Sequence, residues 1–133
     1  LKNNDTFSDR LVILLFHFGF FLKIYKVELS KNDAQEIFDF FIRQIELSIR
    51  EIGYGDVSVN KKMKDYVNLF YSILEKIENW DKLIDKQKSE LLGNFININL
   101  NDDLIAIYFD KYRDFLLKNS LKIFTKDIIE LKF

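Results

Sequence analysis

The sequence contains no cysteine and only one histidine among its 133 residues. Thiolate zinc sites, iron–sulfur clusters, disulfides and covalent haem attachment all need cysteine. The one histidine, His17, lies within an apolar stretch and has no Glu-x-x-His pair beside it. Such a histidine more often forms hydrogen bonds inside or at the rim of a core than binds a metal. We therefore expect no metal site and no cofactor.

Proline is absent and glycine occurs only four times. This composition favours long helices over a turn-rich β fold. Apolar residues make up 48% of the chain, and fourteen residues are phenylalanine, which is enough material for one hydrophobic core. We predict an all-α, single-domain bundle of about five to six helices over residues 1–133. The chain begins at Leu1 rather than methionine, which is compatible with trimming at the N-terminus.

Charge and hydropathy exclude two further classes. A net charge of −1 argues against a protein dominated by attraction to polyanions, so any basic site is a local patch and DNA is not an expected partner. The longest apolar run, Leu11 to Leu22, contains His17 and Gly19. It is shorter than the roughly 20 residues that a membrane-spanning helix needs.

The first predicted helix begins at Thr6 or Ser8, either of which can cap it, and ends near Lys26. It is apolar on every side, so it is either central in the bundle or covered by a partner. One stripe at helical spacing consists of Leu11, Leu14, Leu15, Phe18, Leu22 and Tyr25.

Two more strongly periodic helices follow. The second opens with Asn32 as its cap and ends at Ile52, and Gly53 then supplies the left-handed residue that commonly ends a helix. The third begins at Ser58, or at Asp56 if the turn is tighter. The apolar face of the third helix consists of Val59, Met63, Tyr66, Val67, Phe70, Leu74 and Ile77.

The second half of the chain is less regular. Residues Trp80 to Asn94 are predicted to form one helix, with Leu83, Ile84, Leu91 and Leu92 facing inward. The alternating stretch FININLN from Phe95 resembles a strand, but a lone strand has no partner, so we interpret it as a helix end and a linker. Asn101 is predicted to cap a further helix through Leu104, Ile105, Tyr108, Tyr112 and Phe115. A last amphipathic segment, Leu121 to Phe133, either docks or frays.

No catalytic constellation is apparent. The Gly53-x-Gly55 pair follows a helix rather than a strand, and Ser58 stands where a phosphate-binding loop has its third glycine. Carboxylate pairs are plentiful, but on helices as charged as these they are most often solvated faces. We expect no catalytic residues and no enzymatic activity.

A group of cations at the second interhelical turn needs a separate explanation. Lysines at a helix start face the positive end of the macrodipole, which costs roughly 0.3–1 kcal/mol each when they are exposed. The cations form a predicted basic corner, defined as Arg50, Lys61, Lys62 and Lys64. It is either a solvated corner, with Asp56 and Asp65 as counter-charges, or a contact for an acidic partner, RNA or lipid headgroups.

The same corner carries a resemblance. The stretch SIREIGYGDVSVNKKMKDYVNLFY, Ser48 to Tyr71, resembles the signature of the ubiquinol–cytochrome c chaperone family. That signature is close to Leu-Arg-Glu-Met-Gly-Val-Gly-Asp, followed by a basic helix and Phe-Tyr-Gly-Arg. Ser72 and Ile73 replace the final Gly-Arg. The matching positions are Arg50, Glu51, Gly53, Gly55, Asp56, Val57, Val59, Lys61, Lys62, Met63, Phe70 and Tyr71.

The resemblance implies an all-helical, non-enzymatic assembly factor for respiratory complex III. It implies newly made cytochrome b as the client, with a small partner chaperone, the ribosome or an anionic membrane surface as further partners. It implies a location on the cytoplasmic side of the bacterial inner membrane, or in the mitochondrial matrix if the protein is eukaryotic. A helical protein–protein adaptor without a membrane-protein client is the alternative. The predicted partner-binding residues are Arg50, Gly53, Gly55, Asp56, Val57, Lys61, Lys62, Lys64 and Tyr71.

Overall fold

The computed structural model describes residues 6–96 and 102–119. Within these ranges the chain forms helices and no strand, which confirms the predicted all-α bundle. The α-helices are α1 (Thr6–Tyr25), α2 (Lys31–Ile52), α3 (Asp56–Ile77), α4 (Asp85–Phe95) and α5 (Asp102–Lys118), and a short 3-10 helix (Trp80–Lys82) lies between α3 and α4. The predicted cap Asn101 and the amphipathic segment Leu121–Phe133 lie outside the described residues.

Helix α1 is the centre of the bundle, because apolar side chains on several of its sides are buried. Phe16 and Phe20 approach Phe109 of α5, with ring centroids 5.6 and 5.4 Å apart. On another side α1 approaches α3 so closely that a Cβ atom on Gly19 would lie 3.1 Å from Cδ1 of Ile77. The central-helix interpretation is therefore confirmed. Leu14 is the exception, since 45% of it is exposed.

Aromatic stacking joins α1 to α2 and α3. The ring of Phe18 stacks on Phe41 of α2 at 4.0 Å and on Phe70 of α3 at 5.3 Å. Such pairs contribute about 0.5–1.5 kcal/mol beyond the area that they bury. These rings hold the three helices of the N-terminal half together.

A polar network closes the other side of the bundle. One carboxylate oxygen of Asp110 accepts hydrogen bonds from Nε1 of Trp80 (2.8 Å) and from Nζ of Lys88 (2.9 Å). Trp80 is fully buried and Lys88 is only 8% exposed, so both donors need this partner. The network fixes the 3-10 helix and α4 against α5.

Helix α5 runs beside α1 in the same direction. His17 lies against Tyr108, and two turns further along Tyr25 reaches the end of α5. The hydroxyl of Tyr25 donates to the carbonyl oxygens of Leu116 (2.5 Å) and Asn119 (3.1 Å). The two helix ends are therefore held together.

Two predicted boundaries were wrong. Helix α2 is capped by Ser30 and not by Asn32, because Oγ of Ser30 accepts a hydrogen bond from the backbone N–H of Asp33 at 3.0 Å. The predicted helix from Trp80 to Asn94 is interrupted at Leu83 and Ile84, which have extended backbones. The interruption turns Ile84 outward, with 63% of it exposed.

Candidate functional site

The turn between α2 and α3 is built by two glycines in different conformations. Gly53 has a φ of 107°, and its N–H donates to the carbonyl oxygen of Arg50 at 3.0 Å, which ends α2 as predicted. Gly55 has an extended backbone and its carbonyl accepts the first bond of α3, from Val59 at 2.9 Å. Helix α3 thus begins at Asp56, the tighter of the two predicted starts, and only three residues separate the helices.

Arg50 lies at this turn with its guanidinium between two carboxylates. Nη1 is 2.6 Å from Oδ1 of Asp56, and Nε is 3.1 Å from Oε2 of Glu46. The hydrogen bond to Asp56 and then that to Glu46 raise the pKa of Arg50 above its ordinary value. The positive charge of Arg50 is therefore matched locally, and Asp56 is a counter-charge, as the solvated-corner interpretation expected for it.

The three lysines of the basic corner differ in their surroundings. Lys61 and Lys64 are exposed, and no ion pair of either is found within residues 6–96 and 102–119. Nζ of Lys62 lies 4.6 Å from the ring centroid of Tyr54, in a cation–π contact. Val57, 84% exposed, lies one turn before Lys61 on the same helix. The corner therefore presents positive charge beside exposed apolar and aromatic surface.

Tyr71 does not belong to this corner. It lies fifteen residues after Asp56 on α3, which corresponds to about 22 Å along the helix axis. Its ring lies 6.2 Å from that of Phe38 on α2, and 55% of the residue is exposed. The residues predicted to bind a partner are therefore divided between the α2–α3 turn and a separate position along α3.

A second candidate surface was missed by the sequence analysis. It is a groove of about 270 Å³ between α1, α2 and α5, and we call it the apolar groove. Its lining consists of Leu14, His17, Phe18, Phe21, Ile37, Phe40, Phe41 and Tyr112. The sequence did contain one indication of this groove. Helix α1 is apolar on all sides, so it has more apolar surface than one core-facing stripe requires.

Hydrogen bonds already occupy the polar atoms of the groove wall. Nδ1 of His17 donates to the carbonyl of Ile13 at 2.8 Å, and Nε2 is hydrogen-bonded to the hydroxyl of Tyr108 at 2.5 Å. The hydroxyl of Tyr112 donates to the carbonyl of His17 at 3.3 Å. Burial raises the pKa of Tyr112 to about 12, so it stays protonated and keeps this bond. His17 is thus a hydrogen-bonded histidine at the rim of the core, and the wall offers an occupant mainly apolar contacts.

Within residues 6–96 and 102–119, no three histidine, cysteine, aspartate or glutamate side chains come together as a metal site would require. None of the helices in the same ranges combines the length and the hydropathy of a membrane span.

Comparison with known proteins identifies one family. The family model described as Ubiquinol-cytochrome C chaperone matches residues 1–103. This region contains helices α1 to α4, the α2–α3 turn and most of the groove wall, and the match confirms the resemblance in the central signature. No curated protein and no solved structure matches the chain.

Proposed function

The chain belongs to the ubiquinol-cytochrome C chaperone family, and we propose on that premise that it is a non-enzymatic assembly chaperone for ubiquinol–cytochrome c reductase, respiratory complex III. The single observation that carries the proposal is the family match over residues 1–103. The matched region is most of the chain and includes the whole of the α2–α3 turn, where the specific residues of the signature lie.

Newly made cytochrome b is the proposed client. An unassembled membrane protein exposes apolar helices, which aggregate or are degraded unless another apolar surface covers them. The apolar groove offers such a surface: Phe18, Phe40 and Phe41 line it, and its wall is poor in unused polar atoms. A helix laid in a hydrophobic groove is a common mode of recognition. These features support the groove as the client site.

The basic corner is the proposed second contact. Lys61, Lys62 and Lys64 would meet an acidic surface, supplied by a small partner chaperone, the ribosome or an anionic membrane. Val57 and Tyr54 add exposed apolar area beside these charges. We propose that this contact lies on the cytoplasmic side of the bacterial inner membrane, or in the mitochondrial matrix for a eukaryotic protein.

Affinity capture from native membranes with a matched pair of variants tests the proposal. Leu14→Lys puts a charge into the groove at a position that is already 45% exposed, so the fold should tolerate it. Leu104→Lys makes the same change on α5, outside the groove, at a position 64% exposed. Cytochrome b should be recovered with the unmodified chain and with Leu104→Lys, and much less of it with Leu14→Lys.

Two other outcomes would count against the proposal. Capture that never recovers cytochrome b, while other proteins are recovered, would leave the helical adaptor as the better description. Equal recovery by the two variants would remove the groove as the client site and keep only the family-level role.

A further inference from the structure

We propose that the apolar groove is the docking site of the chain's own C-terminal segment, residues 121–133, so that the segment would compete with a client for the same surface. This inference does not rest on the proposed function, because it concerns a contact within the chain. The segment also lies beyond residue 103, where the family match ends.

The chemistry of the groove favours an apolar side chain as occupant. Its lining is largely phenylalanine, leucine and isoleucine. The ring nitrogens of His17 and the hydroxyl of Tyr112 already have partners. A small polar ligand would find few groups to fix its orientation, whereas an amphipathic segment would need none.

The path of the chain brings the segment to the groove. Helix α5 ends at Lys118, and the hydroxyl of Tyr25 donates to the carbonyl oxygens of Leu116 and Asn119 at this end. Phe21, which lines the groove, lies one turn before Tyr25, and the two rings are 5.0 Å apart. Residue 119 therefore lies next to one end of the groove.

The segment is long enough to cover the groove. Along α1 the groove extends from Phe21 to Leu14, a distance of about 10 Å at 1.5 Å per residue. Thirteen residues span about 20 Å as a helix and more if extended. A segment that turned back over α1 would reach the far end of the groove with residues to spare.

The sequence of the segment matches the surface in both hydropathy and charge. Its apolar residues include Leu121, Phe124, Ile128 and Leu131, which recur at the spacing of one helix face. Its charged residues are Lys122, Lys126 and Lys132 together with Asp127 and Glu130, so three positive charges against two negative ones give a net charge of +1. On α2, Asp33 and Glu36 lie one turn before the groove residues Ile37 and Phe40. An apolar stripe in the groove would thus leave lysines near an acidic rim.

The absence of cysteine allows a direct test in the full chain. A single Lys126→Cys substitution carries a nitroxide spin label, and methyl signals are recorded for residues at known positions. Leu14 and Ile37 line the groove, whereas Val57 lies at the distant α2–α3 turn, more than 20 Å further along α2. If the segment docks, the label should remove most of the intensity of Leu14 and Ile37 and little of that of Val57.

A pair of double variants separates specific docking from mere proximity. Phe124→Gln with Ile128→Gln removes the apolar stripe and should restore the Leu14 and Ile37 signals. Lys122→Gln with Lys132→Gln changes two positions outside the apolar stripe and should leave most of the broadening of the Leu14 and Ile37 signals. Melting of the bundle is followed in parallel to show that residues 6–119 remain folded in each variant.

Three results would overturn the inference. The first is full intensity at Leu14 and Ile37 in the labelled chain, and the second is equal broadening in both double variants. The third is broadening that appears only when labelled chains are mixed with unlabelled, isotope-enriched ones, because the occupant would then be a second copy. None of these results depends on cytochrome b, so the docking and the proposed function can fail separately.

Discussion

The guanidinium of Arg50 and the carboxylate of Asp56 form an ion pair across the α2–α3 turn, with Nη1 2.6 Å from Oδ1. Both side chains are exposed and solvent screens their charges, so the pair contributes little to stability. Its larger effect is on the charge of the corner. Because Arg50 is matched by Asp56 and Glu46, the positive potential that a partner would meet comes from Lys61, Lys62 and Lys64.

Replacing these three lysines with glutamate should preserve the fold and weaken partner binding. Lys61 and Lys64 are exposed, and the loss of the Lys62–Tyr54 contact costs only about 0.5–1 kcal/mol. Binding to native membranes or ribosomes should fall and lose its dependence on salt concentration. Co-sedimentation over a range of salt concentrations measures both effects.

A control with the same change in charge makes this test specific. Lys76, Lys82 and Lys86 are exposed and lie away from the turn, so their replacement with glutamate should alter binding much less. Equal losses in the two triple variants would mean that net charge, and not the corner, governs the interaction. Intact binding in the folded corner variant would make those lysines ordinary solvated surface.

Gly53→Val should destabilise the protein through the backbone alone. At a φ of 107° no heavy atom would lie within 4 Å of an added Cβ, so the cost is conformational strain of about 1–2 kcal/mol. Gly53→Asn should be milder, since asparagine tolerates left-handed φ values. Gly55→Ala is the control, because Gly55 has a φ of −73° and open space around it. Of the three variants, Gly53→Val should have the lowest melting temperature. Equal melting temperatures for Gly53→Val and Gly53→Asn would contradict the left-handed conformation of Gly53.

Asp110→Ala should be more costly than its exposure suggests. It leaves the indole N–H of Trp80 and the ammonium group of Lys88 without their shared acceptor, and a buried donor left unpaired costs about 1–3 kcal/mol. Asp114→Ala, one turn later on α5, removes a carboxylate that is 53% exposed and paired with Arg113, and should cost less than about 1 kcal/mol. Urea unfolding of both variants compares these costs, and similar midpoints would show that the Asp110 network is not structural.

Stability should fall at alkaline pH because of Tyr112. Burial raises its pKa in the folded state to about 12, against an ordinary value of 10.0. The folded protein therefore favours the protonated phenol, and this contribution is complete below pH 10 and is lost as the pH rises from 10 towards 12. Tyr112→Phe should flatten the decline, whereas Tyr71→Phe, at a position 55% exposed, should not. Denaturant midpoints recorded between pH 9 and 12 provide the measurement, and parallel curves for the two variants would contradict the burial of Tyr112.

Local patterns were sufficient to predict most of the helices and the turn at Gly53. Apolar residues at helical spacing defined α1, α2 and α3, and a glycine directly after a periodic stretch indicated its end. They could not choose between Ser30 and Asn32 as the cap of α2, because both side chains can accept the required hydrogen bond. Leu29, packed against the core, places Ser30 where the helix begins.

The errors came from contacts between residues far apart in sequence. The helix predicted over Trp80–Asn94 is interrupted because Trp80 enters the core and donates to Asp110, thirty residues later. The apolar groove was not predicted for a similar reason, since α1, α2 and α5 each contribute part of its wall. Periodicity identifies an apolar face of one helix, but it cannot show which faces of three helices leave a gap between them.

The content of assembled complex III in a strain that lacks this protein tests the central claim most directly. Transcript levels of the cytochrome b gene are measured beside cytochrome b content and quinol–cytochrome c reductase activity, with the unmodified gene returned as the control. If the protein is an assembly chaperone, the strain that lacks it should have an unchanged transcript level. Its cytochrome b content and its reductase activity should both be lower, because the unaccompanied client aggregates or is degraded. Normal cytochrome b content and normal reductase activity in that strain would contradict the chaperone account.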